Sequence, residues 1–184
     1  MAPCNLEDDF YREARRTWLC NGCSAPNPSV GRIDVRLSEP QINGVLNFVF
    51  EAEVSLARLS VLLSLGQERV HRDLHLGKVW GPDGEELSEW VTCRGRQRLI
   101  VRGTKNVTHR VCSVCGRNVY FAMPPWYLYP APGEGAEIFE TNLCGLMTTD
   151  SIARKAGIAK QRGVVVDRLQ ILKEPRDGLP PLEF

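Results

Sequence analysis

Apolar residues recur along this chain mostly in short alternating runs, the period of half-buried strands. Residues 30–37 carry Val30, Ile33, Val35 and Leu37, and residues 45–54 are dense in Val, Leu and Phe with alternation across Leu46, Phe48 and Phe50. Ser55 then offers a cap to a helix whose Leu56, Leu59, Leu62 and Leu63 share one face and which stops at Gly66. A Gly-Pro-Asp-Gly turn at 81–84 separates runs at 76–80 and 87–92 and predicts a hairpin. Further strands are expected at 99–102 and 107–111 around a turn at 103–106, and at 118–123, 138–141, 146–148 and 164–172. A short helix over 150–156 starts at a Thr149 or Asp150 cap and ends at Gly157, while residues 6–19 read as a short helix or an irregular lead-in. Pro124, Pro125, Pro130 and Pro132 mark a loop holding Trp126, Tyr127 and Tyr129, either a packed cover over the core or an exposed recognition loop. The sum is an α+β fold, mainly antiparallel strands.

Composition narrows the class. The chain has 184 residues, 43% hydrophobic and 24% charged, enough for one ordinary domain or one with a small appendage. Collagen, coiled coil and disorder are excluded. With 23 basic against 22 acidic residues the net charge is +1, so any nucleic-acid or acidic partner must be met by a local patch. Residues 1–10 carry Glu7, Asp8 and Asp9 without an apolar stretch, unlike a secretory signal, and the most apolar region, 42–65, is interrupted by Glu51, Glu53 and Arg58. A cytoplasmic protein that meets no membrane is therefore expected. In that reducing compartment paired cysteines serve metals more often than disulfides, and an odd count of seven cannot form a complete disulfide set.

Cys20-x-x-Cys23 and Cys112-x-x-Cys115 are the most specific signal. A CxxC turn aims backbone N–H groups at two sulfurs brought to one point, and two such turns supply the four ligands of a tetrahedral Zn2+ at about 2.3 Å. Common zinc ribbons separate the pairs by about 15–20 residues; here residues 24–111 intervene, as in a ribbon split by a domain-sized insertion. A thioredoxin-type redox centre and incidental thiols are the alternatives. The first needs a helix opening at the cysteine, which Pro26 and Pro28 prevent. Gly116 suits the left-handed position after the second pair, and Ser24 suits its counterpart less well. Four protein ligands leave no open coordination position, so the metal is structural. Cys4, Cys93 and Cys144 read as spare thiols.

Residues 91–120 contain no acidic side chain but hold Arg94, Arg96, Arg98, Arg102, Lys105, Arg110 and Arg117. This stretch is either a phosphate-binding surface with Trp90 and Tyr120 as stacking partners, or a local balance for the −2 charge of a zinc tetrathiolate. His71-Arg72-Asp73-Leu74 copies the kinase catalytic-loop signature without its companion motifs. His71 and His75 share an i, i+4 spacing but no carboxylate completes a metalloprotease pattern, and His109 lies three residues before Cys112, a candidate neighbour of the site. No GxSxG, Walker A or dinucleotide fingerprint appears, and no acid/base or nucleophile constellation points to an enzyme.

The two knuckles with their long insert, the Pro28-Ser29-Val30 segment, and Cys112-Ser-Val-Cys115-Gly116-Arg117 together resemble the double-CXXCG motif proteins of myxobacteria. The C-terminal pattern is similar too: Glu137-Ile-Phe139, Gly145-Leu-Met-Thr-Thr149, a short helix, and Gly163-Val-Val-Val166. The resemblance covers the knuckles and roughly the last 75 residues, carries over only Cys20, Cys23, Cys112 and Cys115 as metal ligands, and departs from the family's pattern at Ser24. It implies an immunity-type protein that neutralises a secreted toxin by direct binding. The expected architecture is a split zinc-ribbon-like module over 1–125, with an insertion at about 38–105, and a small α+β region over 126–184. The expected partner is a protein, and the alternative is a nucleic-acid-associated zinc ribbon using the basic 94–117 stretch.

Overall fold

A computed structural model describes residues 17–27, 29–37, 54–143, 145–162 and 164–183, and the backbone alone at 48–51. The expectations for residues 6–16 and 38–47, and for Cys4 and Cys144, lie outside these described residues. The fold is α+β, built mainly from antiparallel strands. In chain order the elements are β1 (Val35–Arg36), β2 (Phe48–Glu51), β3 (Val54–Arg58), α1 (Leu59–Leu63), α2 (Gln67–Asp73), β4 (Leu74–Trp80), β5 (Glu86–Gly95) and β6 (Arg98–Leu99). They continue as β7 (Val101–Val111), β8 (Asn118–Leu128), β9 (Ile138–Thr141), β10 (Gly145–Thr148), α3 (Asp150–Lys155), a 3-10 turn (Ile158–Lys160) and β11 (Gln170–Ile171). No helix among the described residues is long and apolar enough to cross a membrane.

Three sheets carry the strands, in the orders β1-β4-β5-β3-β2, β10-β9-β6 and β11-β8-β7. The five-stranded sheet is buried on both faces. Val54, Leu56, Val79 and Trp90 turn to one side, where Trp18, Leu19, Ile33, Val35 and Leu37 cover them. Ala57, Leu74 and Cys93 turn to the other, against Leu62, Leu65 and Val70 of the helical segment and Ile138 and Ile152 from the C-terminal part. That two-sided burial explains the first departure from expectation. Residues 55–58 are strand rather than helix, because period-2 packing places Leu56 and Ala57 in opposite cores, and α1 starts only at Leu59 with no side-chain cap. Ser55 is buried inside β3 and caps nothing.

Other departures have local causes. The turn-like residues 103–106 do not reverse the chain: β7 runs through them, and the register against β8 slips between Gly103, Lys105 and Thr108. Asn106 takes φ 50° there, so its turn chemistry is spent on a bulge. On the partner strand, Pro124 and Pro125 fall in the gap between the pairs Gly103↔Trp126 and Lys105↔Met123, where no ladder N–H is required. The aromatic stretch is thus the end of β8, and Tyr127 is buried with its hydroxyl accepting from the Arg176 and Asp177 N–H groups at 2.9 and 3.2 Å. The closing strand shrinks to two residues, parallel to β8. Helix α3 appears as expected, with Thr149 Oγ1 accepting from the Ile152 N–H.

Candidate metal centre

Each CxxC pair closes the same hydrogen-bonded turn. In the first, the Ser24 N–H donates to the Cys20 carbonyl at 2.8 Å and the Cys20 N–H to the Ala25 carbonyl at 2.9 Å. The second repeats both distances, from Gly116 to Cys112 and from Cys112 to Arg117. The residue after the second cysteine is left-handed in both, φ 56° at Ser24 and 70° at Gly116. Residue type had favoured only Gly116 for this conformation; serine adopts it because the turn and its partners demand it.

Different supports present the two turns. The second is the connection between β7 and β8, held by the Arg110↔Val119 and Val111↔Asn118 pairs. The first hangs from Trp18 and Leu19, which are sunk in the sheet core, and is closed by a bridge between Leu19 and Pro26. The turns press together at Gly22, where a Cβ would lie 2.7 Å from Val114 Cγ2 and 2.9 Å from Cys112 Sγ, so a side chain there would have to push the second turn aside.

This brings the four predicted sulfurs together, all within 4.8 Å of one another. Cys20 Sγ lies 3.8 Å from Cys112 Sγ, and Cys23 Sγ 3.7 Å from Cys115 Sγ. A disulfide needs about 2.05 Å, whereas a tetrahedron with metal–sulfur bonds of about 2.3 Å has edges of about 3.8 Å. The donor set therefore fits a four-coordinate thiolate-bound metal ion. All four thiols are free, Cys20 and Cys112 buried, Cys23 and Cys115 half-buried.

The surroundings favour thiolate at the second knuckle. The Arg117 backbone N–H pulls the Cys115 thiol down to about 6, with help from the Arg117 side chain, and the Cys115 and Val114 N–H groups lower Cys112. Burial instead pushes Cys23 up to about 12. Arg117 also clamps the two turns together. Its Nε donates to Cys115 Sγ at 3.3 Å, its Nη2 to the Ala25 carbonyl at 3.2 Å, and its Nη1 to the Pro26 carbonyl.

The rest of the basic stretch is mostly turned inward. Arg98 is bound to Glu140 Oε2 at 3.2 Å and to the Pro26 carbonyl at 3.4 Å, and Arg94 lies 3.5 Å from Glu140 while donating to the Val30 carbonyl. Burial raises the Glu140 carboxyl against the pull of Arg98. Arg102 is fully buried in an ion pair with Asp177. Only Arg96, Lys105 and Arg110 of the seven are exposed. Three guanidinium groups near the knuckles, from Arg94, Arg98 and Arg117, face one carboxylate, Glu140, and match in charge that carboxylate plus the −2 that a divalent ion on four thiolates would carry.

The remaining candidates separate. His71 is in the last turn of α2 and His75 on β4, so they do not form a ligand pair. His109 meets Asn118 Oδ1 at 2.7 Å. Asp73 of the kinase-like tetrapeptide is a buried structural acceptor for the Glu137 and Ile138 N–H groups at 2.8 and 3.0 Å, paired with Arg72. Cys93 is buried, its thiol 3.7 Å from the Ser55 carbonyl. Sequence pattern had missed Arg117's bridging of the two knuckles; its place two residues after Cys115 was the available signal. No protein-family model, curated protein or solved structure matches the chain.

Proposed function

We propose that this chain is a zinc-stabilised cytosolic binding protein of the immunity type, which neutralises a cognate secreted toxin by direct binding. The observation that carries the metal part is the cluster of four free thiols on paired knuckles. Soft thiolates at tetrahedral spacing favour zinc, and a closed set of four protein ligands makes the ion a structural link between segments 92 residues apart. The toxin part is supported by the resemblance of the knuckles and the C-terminal pattern to double-CXXCG proteins. Fitting with it, the site offers a scaffold for a binding surface and a metal with no position for substrate. The nucleic-acid reading has less support, since four of the seven basic side chains that would serve it are committed to internal partners.

Co-expression with the toxin encoded by an adjacent gene tests the function. Restored growth together with a co-purifying complex is the expected result; a toxin that stays lethal in the presence of the folded, metal-loaded chain overturns the immunity reading.

A further inference from the structure

The β7–β8 hairpin has two unlike faces. On one, Tyr120 and Ala122 are covered by the chain's own C-terminal segment through Leu179 and Leu182, and the Tyr120 hydroxyl reaches Asp177 at 2.9 Å. The neighbouring residues on β8 point the other way. Phe121 is 59% and Met123 42% exposed, and directly opposite them on β7 are Thr108 and Lys105, with Arg110 opposite Val119. Cross-strand partners share a face, so these six side chains form one continuous patch. Lys105 and Arg110 have no ion-pair partner among the described residues, and no carboxylate occurs anywhere from 91 to 133.

We propose that this face is the docking surface for an acidic, partly apolar surface of a protein partner. The proposal rests on the reading of the chain as a binding protein and names where that binding occurs. An exposed aromatic and a methionine side by side are the anchors that interfaces favour, and two cations beside them, with no ion-pair partner among the described residues, steer and select negative charge. Charge also chooses among occupants. A second copy of the chain would set Lys105 and Arg110 against their own like charges, with no carboxylate among the six side chains to offset them. A phosphate backbone would find only two cations and the Thr108 hydroxyl, set among Val119, Phe121 and Met123, which give phosphate no hydrogen bond.

Panning the full metal-loaded chain against phage-displayed random peptides of about twelve residues tests this. The enriched peptides should combine Asp or Glu with large apolar residues, and in calorimetric titration Phe121→Ser and Arg110→Glu should each weaken them at least about tenfold. Metal content and the thermal melt of both variants should stay at wild-type values, since both side chains are exposed. Failure to enrich such peptides, or affinities indifferent to both substitutions, overturns the proposal. So does tighter binding of a single-stranded oligonucleotide that Arg110→Glu abolishes, which assigns the face to nucleic acid. If toxin neutralisation fails while the acidic peptides still dock here, the immunity reading falls and the docking surface stands.

Discussion

Ser24 occupies a left-handed position that its glycine counterpart Gly116 takes without strain. For a residue with a Cβ that conformation costs about 1–2 kcal/mol, part of which glycine's greater unfolded-state entropy offsets. Ser24→Gly is therefore expected to stabilise the protein by about 1 kcal/mol, read as a rise of about 2–4 °C in the thermal melt. Arg117 acts on both knuckles at once, through one sulfur and two carbonyls. Arg117→Ala should weaken metal affinity about 10–100-fold in a chelator competition while all four ligands remain. At this scale the meeting of Cys20, Cys23, Cys112 and Cys115 in one cluster was legible, because a CxxC turn is local and two such turns are built to bring four sulfurs together. The guanidinium partners were legible only as a count: seven positive charges say nothing about which of them face inward, a matter decided by Glu140 and Asp177, 42 and 75 positions away.

Among elements, the β7–β8 hairpin links the four-cysteine cluster to the C-terminal segment. Arg102 on β7 is wholly buried against Asp177, which also takes the Leu179 N–H at 3.1 Å and the Tyr120 hydroxyl. Asp177→Asn strands a buried guanidinium and should destabilise the protein by about 3–5 kcal/mol in a urea titration. Burial opposes ionisation of Asp177, but the Arg102 hydrogen bond leads a set of contacts that outweighs it and holds the carboxyl below its ordinary 3.8. The hydrogen bond from Arg72 does the same for Asp73. Both carboxyls are depressed in the folded state, so their stabilisation is complete above the unfolded value near 3.8 and is lost as pH falls through the lower folded values. Urea midpoints should accordingly fall below about pH 4, and in Asp177→Asn they should fall less steeply. The alternating burial of Ile33, Val35 and Leu37 and the α3 cap were readable from sequence, although only Val35–Arg36 of the strand expected over 30–37 forms one. The boundary between β3 and α1 was not, because Leu56 fits a helical face and a two-sided sheet equally well and long-range pairing with β2 and β5 decides it. Likewise Gly103 and Asn106 signalled a turn, and only the partner strand converts that signal into a bulge.

For the whole molecule, the five-stranded sheet has its own two cores, whereas the first knuckle meets the second across paired sulfurs, Gly22 and the Arg117 clamp. Metal removal should therefore act unevenly. In hydrogen exchange with and without a strong chelator, residues 20–26 and 112–117 should lose protection while β3, β4 and β5 keep theirs. Uniform loss across the chain would mean that the ion holds the entire fold. The central claim is the tetrathiolate zinc itself, and metal quantification on protein purified from zinc-replete medium tests it most directly. The account predicts about one zinc per chain, lost on Cys115→Ser; less than about half an equivalent in the wild-type protein would contradict it.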